Sequence, residues 1–188
     1  MEKTVTAAPR EIAFGAIGAA LIALCSWISI PLPSMVPFTL QTFGVCFAAA
    51  VLGRRTGARC VAAYVLLGAV GAPVFAGFRG GMGALLGPTG GYIIGFYFTA
   101  LIVGAAGERW GGSVGKMAAA MALGVAVCYV FGTAWFVNVY SRKNAPVGIL
   151  TALSWCVAPY LVPDGLKILL AALLGVRLRP TVQRGLRA

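Results

Sequence analysis

From Ile12 to Gly53 the chain runs without a single Asp, Glu, Lys or Arg. A helix needs about 20 predominantly apolar residues to cross a bilayer, so this stretch holds two crossings. Lipid offers the backbone no hydrogen-bond partner, which restricts spanning segments to helices or closed barrels. The apolar runs do not alternate strictly with polar residues, and this selects helices. Charges, prolines and glycines then mark off six spans, at about 12–30, 38–53, 60–74, 90–107, 117–140 and 163–178. The link Pro31-Leu32-Pro33-Ser34-Met35-Val36-Pro37 breaks the first span from the second. Arg54, Arg55 and Arg59 stop the second, and a glycine-rich link from Phe75 to Thr89 separates the third from the fourth. Gly148 to Val176 is too long for one span and too short for two with a turn. Pro159 and Pro163 break it, predicting a short outer-side helix at about 148–158 that lies on the bundle, followed by the last span. Proline suits the first turn of that span, and Asp164 suits the positive end of its dipole. The expected fold is an all-α integral membrane protein, a single domain over residues 1–188 with both termini cytoplasmic.

Composition agrees: 60% of residues are hydrophobic and 10% charged, against about 25% charged in soluble domains. The net charge of +11 would point to nucleic acid in a soluble chain. Here the basic residues gather at span ends, where they set topology, and nucleic acid is not an expected partner. With the termini inside, Lys3, Arg10, Arg54, Arg55, Arg59, Arg109, Lys116 and four arginines of the tail (Arg177, Arg179, Arg184, Arg187) are cytoplasmic. Only Arg79, Arg142, Lys143 and Lys167 of the 15 basic residues face outward, as the positive-inside rule requires. The proline link, the glycine link, Asp164 and Lys167 then share the outer end of the bundle, the arrangement of an outward-facing pocket. The N-terminal apolar run is too long for the core of a cleavable signal peptide, and further spans follow it.

Asp164 and Lys167, spaced i, i+3, lie on one helix face. Charges within a span cost about 2.5–3.5 kcal/mol each on insertion scales. The span from Pro163 to Val176 rises only about 21 Å, against a hydrocarbon core of about 30 Å, so Asp164 is expected below the outer surface. Two readings fit the pair: a self-satisfied ion pair at a helix start, or a polar pair kept for a ligand. Arg79 lies in Gly77-Phe78-Arg79-Gly80-Gly81-Met82-Gly83, where Gly80 and Gly81 permit close approach of the backbone to a ligand and the guanidinium can grip a carboxylate. It can equally be a solvated loop charge or touch lipid headgroups. Gln41 and Thr39, beside the proline link, either bind a polar group or cap a helix. Phe38, Phe78 and Tyr92 either line an apolar wall or anchor at the interface. Gly83, Gly87, Gly91 and Gly95 recur every four residues, a spacing that brings helices close in lipid. Ala16 and Ala20 form a similar stripe, fit for packing inside the bundle or docking a partner helix.

Histidine is absent, and Cys25, Cys46, Cys60, Cys128 and Cys156 are scattered through apolar runs without a C-x-x-C pair. They read as small hydrophobes, and no metal site is expected. Gly111-Gly112-Ser113-Val114-Gly115 has the spacing of a hydrolase nucleophile elbow. It falls in a short turn of a chain without a histidine to act as base, and an enzyme is not expected.

Several segments together resemble the BioY family, the biotin-binding S components of energy-coupling factor (ECF) vitamin transporters. They are Ile28-Ser29-Ile30-Pro31-Leu32-Pro33, Val36-Pro37-Phe38-Thr39-Leu40-Gln41-Thr42, Gly71-Ala72-Pro73-Val74-Phe75, Gly83, Gly87-Pro88-Thr89-Gly90-Gly91-Tyr92, and Pro159-Tyr160 through Pro163-Asp164 with Lys167. The resemblance implies a six-helix S-component bundle in the bacterial cytoplasmic membrane. It implies capture of biotin as transported ligand, no cofactor, and partnership with a transmembrane T component and two ATPase subunits, which alone use ATP. The family's last-helix Asp and Lys correspond to Asp164 and Lys167, and its small-residue docking motif corresponds best to Ala16 and Ala20. Biotin's ureido ring suits Asp164 as acceptor and Lys167 as donor. Its carboxylate suits Arg79, its apolar parts suit Phe38 and Tyr92, and the two cations are interchangeable in this scheme. An S component for another small vitamin, or a non-catalytic assembly protein of the membrane, are the alternative expectations.

Overall fold

A computed structural model describes residues 9–31, 36–144 and 146–187. Lys3 and positions 32–35 of the proline link lie outside them. The described chain forms α1 (Pro9–Trp27), two short strands β1 (Ser29–Ile30) and β2 (Phe38–Thr39), α2 (Gln41–Leu52), α3 (Arg54–Ala69) and a single turn α4 (Met82–Leu85). It continues as α5 (Gly90–Trp110), α6 (Val114–Lys143), α7 (Ile149–Cys156) and α8 (Leu161–Arg187). The protein is a helical membrane bundle. Pro9–Trp27, Gly90–Trp110, Val114–Arg142 and Ile149–Leu186 are long and apolar enough to cross a bilayer, and α2 is a shorter apolar helix.

Several boundaries differ from those expected. Phe38 is not in a span but in β2, which pairs antiparallel with β1 in the register Ser29↔Thr39 and Ile30↔Phe38. Arg54, Arg55 and Arg59 do not lie between helices but in the first turns of α3. Gly53 alone, at φ +83°, separates α2 from α3. Charge marks where lipid ends, whereas the i→i−4 hydrogen bonds of a helix continue into water. The same reason extends α8 through the arginine-rich tail to Arg187, with Pro180 inside it. Arg179 and the Gln183 side chain donate to the carbonyls of Ala50 and Val51 (2.7 Å for Gln183). They thereby satisfy last-turn acceptors of α2 that no helical N–H reaches.

The four-residue glycine spacing works on α5 but not in the preceding link. A Cβ on Gly91 would lie 2.2 Å from Trp135 Cβ, and one on Gly95 would lie 2.9 Å from Cys128 Sγ. One turn on, Thr99 Oγ1 donates to Gly124 O at 2.9 Å. Positions 91, 95 and 99 of α5 therefore meet 132, 128 and 124 of α6, small residues letting two backbones close on each other. Gly83 has open space instead, on the short α4. Of the elbow-like run, Gly111 to Ser113 form the turn from α5, and Val114 and Gly115 begin α6.

Cross-contacts gather the basic helix ends at one end of the bundle. Glu11 pairs with Arg59 at 3.0 Å, joining α1 to α3. Arg54 N–H donates to Glu108 Oε1 at 2.8 Å, joining α3 to α5. Arg179 joins α8 to α2. The strand pair, the 70–89 link and α7 occupy the opposite end, the outer one by the positive-inside rule.

Candidate functional site

A 3₁₀ turn at Ala158–Tyr160, with Pro159 in it, redirects the chain from α7 into α8. Pro163 falls in the first turn of α8, where its missing N–H costs nothing. Asp164 follows it, near the helix N-terminus, where a negative charge is favoured. Asp164 and Lys167 are 4% and 7% exposed, and Lys167 Nζ lies 2.7 Å from Asp164 Oδ1. Lys167 Nζ also donates to Thr39 O at 2.6 Å and sits 3.9 Å from the Phe38 ring centroid. Asp164 Oδ2 accepts from Tyr129 OH at 2.5 Å and from Thr42 Oγ1 at 3.4 Å. The pair thus ties α8 to β2, α2 and α6. Among the described residues, no buried side-chain N or O atom lacks a partner. Burying two charges requires this, since an unpaired one costs several kcal/mol.

The pair forms part of the wall of an outer-end cavity of about 800 Å³, open mouth included. Polar groups from distant positions line it: Thr39, Gln41 and Thr42, Arg79, Tyr129, and Asp164 with Lys167. Phe75, Ile93, Phe96 and Val125 supply apolar wall between them. The site therefore offers an ionic anchor that both donates and accepts, an apolar middle and a second cation.

Arg79 reaches this cavity through a tight turn. Phe75 N–H donates to Arg79 O at 2.9 Å, and Arg79 N–H returns the bond to Phe75 O at 3.3 Å. Between them Gly77 and Phe78 take φ of +68° and +56°. Positive φ is natural for glycine and unusual for phenylalanine. The Phe78 ring stacks on Trp27 at 5.1 Å, and Trp27 Nε1 donates to Pro73 O at 2.8 Å, which holds the turn against α1. Arg79 itself is exposed, and its Nε donates to Ala76 O at 3.1 Å.

The expected site residues separate into three groups. Asp164, Lys167, Arg79, Gln41 and Tyr92 line the cavity. Within that group the Gln41 amide is already engaged, donating to Tyr64 OH at 2.6 Å and accepting from Thr39 Oγ1 at 3.1 Å. The Tyr92 hydroxyl is bonded to Thr133 Oγ1 at 3.0 Å. Phe38, Gly80 and Gly81 are not among the lining residues. Phe38 sits over the lysine instead. Gly80 is required because a Cβ there would lie 2.3 Å from Ala72 O, and Gly81 N–H donates to Gly68 O at 2.6 Å. Gly80 thus packs the link on its own start, and Gly81 closes it onto α3. Ala16 and Ala20 are exposed along a separate apolar groove between α1 and α3.

Tyr129 and Thr42, which hold Asp164, were not singled out by sequence reasoning. Tyr129 stands with Thr133 at an i, i+4 spacing in an otherwise apolar helix, a weak signal that the two polar groups share an inward face.

Comparison with known proteins decides the family. The profile of the BioY family matches residues 1–184. The chain belongs to the BioY family. It is 41% identical over 170 residues to the biotin transporter BioY of Thermotoga maritima, covering 90% of this chain and 96% of that protein. It is 35% identical over 180 residues to the biotin transporter BioY of Rhodobacter capsulatus, covering 92% and 91%. The crystal structure of the S component for biotin from an ECF-type ABC transporter superposes with a TM-score of 0.80 at 27% identity, covering 96% of this chain and 95% of that one. The fold of this BioY-family chain is accordingly that of an S component.

Proposed function

We propose that this BioY-family protein captures biotin at the outer face of the cytoplasmic membrane, as the substrate-binding subunit of an ECF-type importer. The observation that carries the reading is the buried Asp164–Lys167 pair in the wall of an outer-end cavity. Biotin presents two ureido N–H donors and one carbonyl acceptor to such an anchor. Asp164 uses three of its roughly four lone-pair positions within the protein, leaving one for a ureido N–H. The ureido carbonyl takes the third N–H of Lys167, the one given neither to Thr39 nor to Asp164. The thiophane ring and alkyl chain lie against Phe75, Ile93 and Phe96, and Arg79 at the mouth meets the carboxylate.

The six helices α1, α2, α3, α5, α6 and α8 span the membrane, with α7 on the outer side. The chain carries out no catalytic step and needs no cofactor. A T component docks on the exposed Ala16/Ala20 face of α1, and two ATPase subunits supply the energy. Binding of biotin to the purified chain by calorimetry tests the reading: tight binding is expected, with a large loss in Asp164→Asn. Failure to bind biotin while a different vitamin stabilises the chain would replace biotin as ligand. Unchanged affinity in Asp164→Asn would remove that residue from the site.

A further inference from the structure

We propose that the groove between α3 and α5 at the inner end holds an anionic phospholipid, its phosphate on Arg54 and Arg55 and an acyl chain along the helices. The groove holds about 910 Å³, open side included, shares no lining residue with the outer-end cavity, and meets the α1–α3 groove only at Arg59. Arg54, Arg55 and Arg59 line one part of it, and Ala58, Ala62, Tyr97 and Leu101 line the rest. The order along the membrane normal follows from packing. A Cβ on Gly104 would lie 2.5 Å from Arg54 Cα, so residue 104 of α5 is level with the first turn of α3. Leu101 and Tyr97 then lie about 4.5 and 10.5 Å further toward the outer side, at 1.5 Å per residue. On α3, Ala58 and Ala62 climb in parallel with them. Cations at the inner boundary thus continue into an apolar trough at the depth of lipid tails.

The charges favour a phosphate. Among the described residues, the guanidinium groups of Arg54 and Arg55 are in no ion pair, and both side chains are exposed. Arg59 is shared with Glu11 at 3.0 Å. The Glu108 carboxylate, also nearby, takes the backbone N–H of Arg54. Three cations against two carboxylates leave the mouth positive. A headgroup at that level, with its tail in contact with protein, satisfies both halves of the groove. Basic pockets between membrane helices on the cytoplasmic side recognise lipid phosphates in this way.

Native mass spectrometry of the detergent-purified full chain tests this, with added phosphatidylglycerol or phosphatidylcholine of identical acyl chains. Phosphatidylglycerol should remain bound and phosphatidylcholine should not. The variant R54Q/R55Q should lose phosphatidylglycerol roughly tenfold or more. Ala62→Trp, which fills the trough and keeps every charge, should also reduce retention. The control R177Q/R184Q should retain as much as the parent. Thermal unfolding of each lipid-free variant checks that it is folded, and Ala62→Trp carries the test if R54Q/R55Q is not. Equal retention by R54Q/R55Q, or equal retention of the two lipids, overturns the proposal. So does a lipid-free dimer that R54Q/R55Q dissociates, which would assign the groove to a second copy of the chain.

Discussion

Two ion pairs in this molecule are alike in length and opposite in setting. Lys167–Asp164 spans 2.7 Å with side chains 8% and 6% exposed. Arg59–Glu11 spans 3.0 Å with side chains 57% and 39% exposed. At the inner end, water solvates both charges whether or not they meet, so the pair contributes at most about 1 kcal/mol. At the outer end, neither charge has water to fall back on. Each depends on the other and on Thr39, Thr42 and Tyr129, and breaking such a pair costs about 3–5 kcal/mol. A buried pair is a weak means of stabilising a fold but a good means of reserving a polar spot in an apolar bundle. That asymmetry suits the outer pair to the ligand anchor proposed above, while the inner pair tacks α1 to α3.

The sharpest way to break this comparison is Lys167→Met. It leaves Asp164 charged and unpaired, and should lower stability by about 3–5 kcal/mol in a detergent unfolding assay. A loss below about 1 kcal/mol would mean the outer pair is as wet as the inner one. Asp164→Asn keeps the shape and removes the charge. Biotin affinity should fall by about 100-fold, the consequence of about 3 kcal/mol from lost charged hydrogen bonds. Arg79→Ala should weaken biotin by about tenfold, because the guanidinium is exposed at the mouth. Biotin amides lacking the carboxylate should show no further loss in that variant, and an equal loss would detach Arg79 from the carboxylate. The smallest effect belongs to Arg59→Gln, expected to change stability by less than about 1 kcal/mol and leave biotin binding unchanged. Double-mutant cycles on the two pairs would state the contrast as coupling energies.

Much of the fold was legible because lipid imposes strong rules. Apolar runs located the helices α1, α5 and α6 closely, and the broken stretch at Pro159 and Pro163 became α7 and α8. Boundaries were misread wherever charge stood for helix ends. Arg54 and Arg55 begin α3, and Pro180 lies inside α8, because helices outrun the membrane into water. Asp164 and Lys167 stood out in sequence because charge within an apolar run is rare. Tyr129 did not, because an aromatic residue in an apolar helix has no such contrast. Gly80 and Gly81 looked like ligand-approach residues, but the backbone they approach is their own. Phe38 was expected on the ligand wall and lies over the lysine instead. Glycine and aromatic residues serve packing and binding alike, and only the neighbours distinguish the two.

The sequence by itself determined that the chain is a helical membrane protein, which end is cytoplasmic, and that its few outer polar residues belong together. These follow from the cost of placing charge and unpaired backbone in hydrocarbon, which acts on each residue separately. Tertiary structure decided which groups hold Asp164, which loop closes on α3, and that α2 and α8 are tied at both ends. The α2–α8 ties join positions more than 100 residues apart, and Tyr129 reaches Asp164 across 35. Their energies depend on geometry that no local pattern encodes.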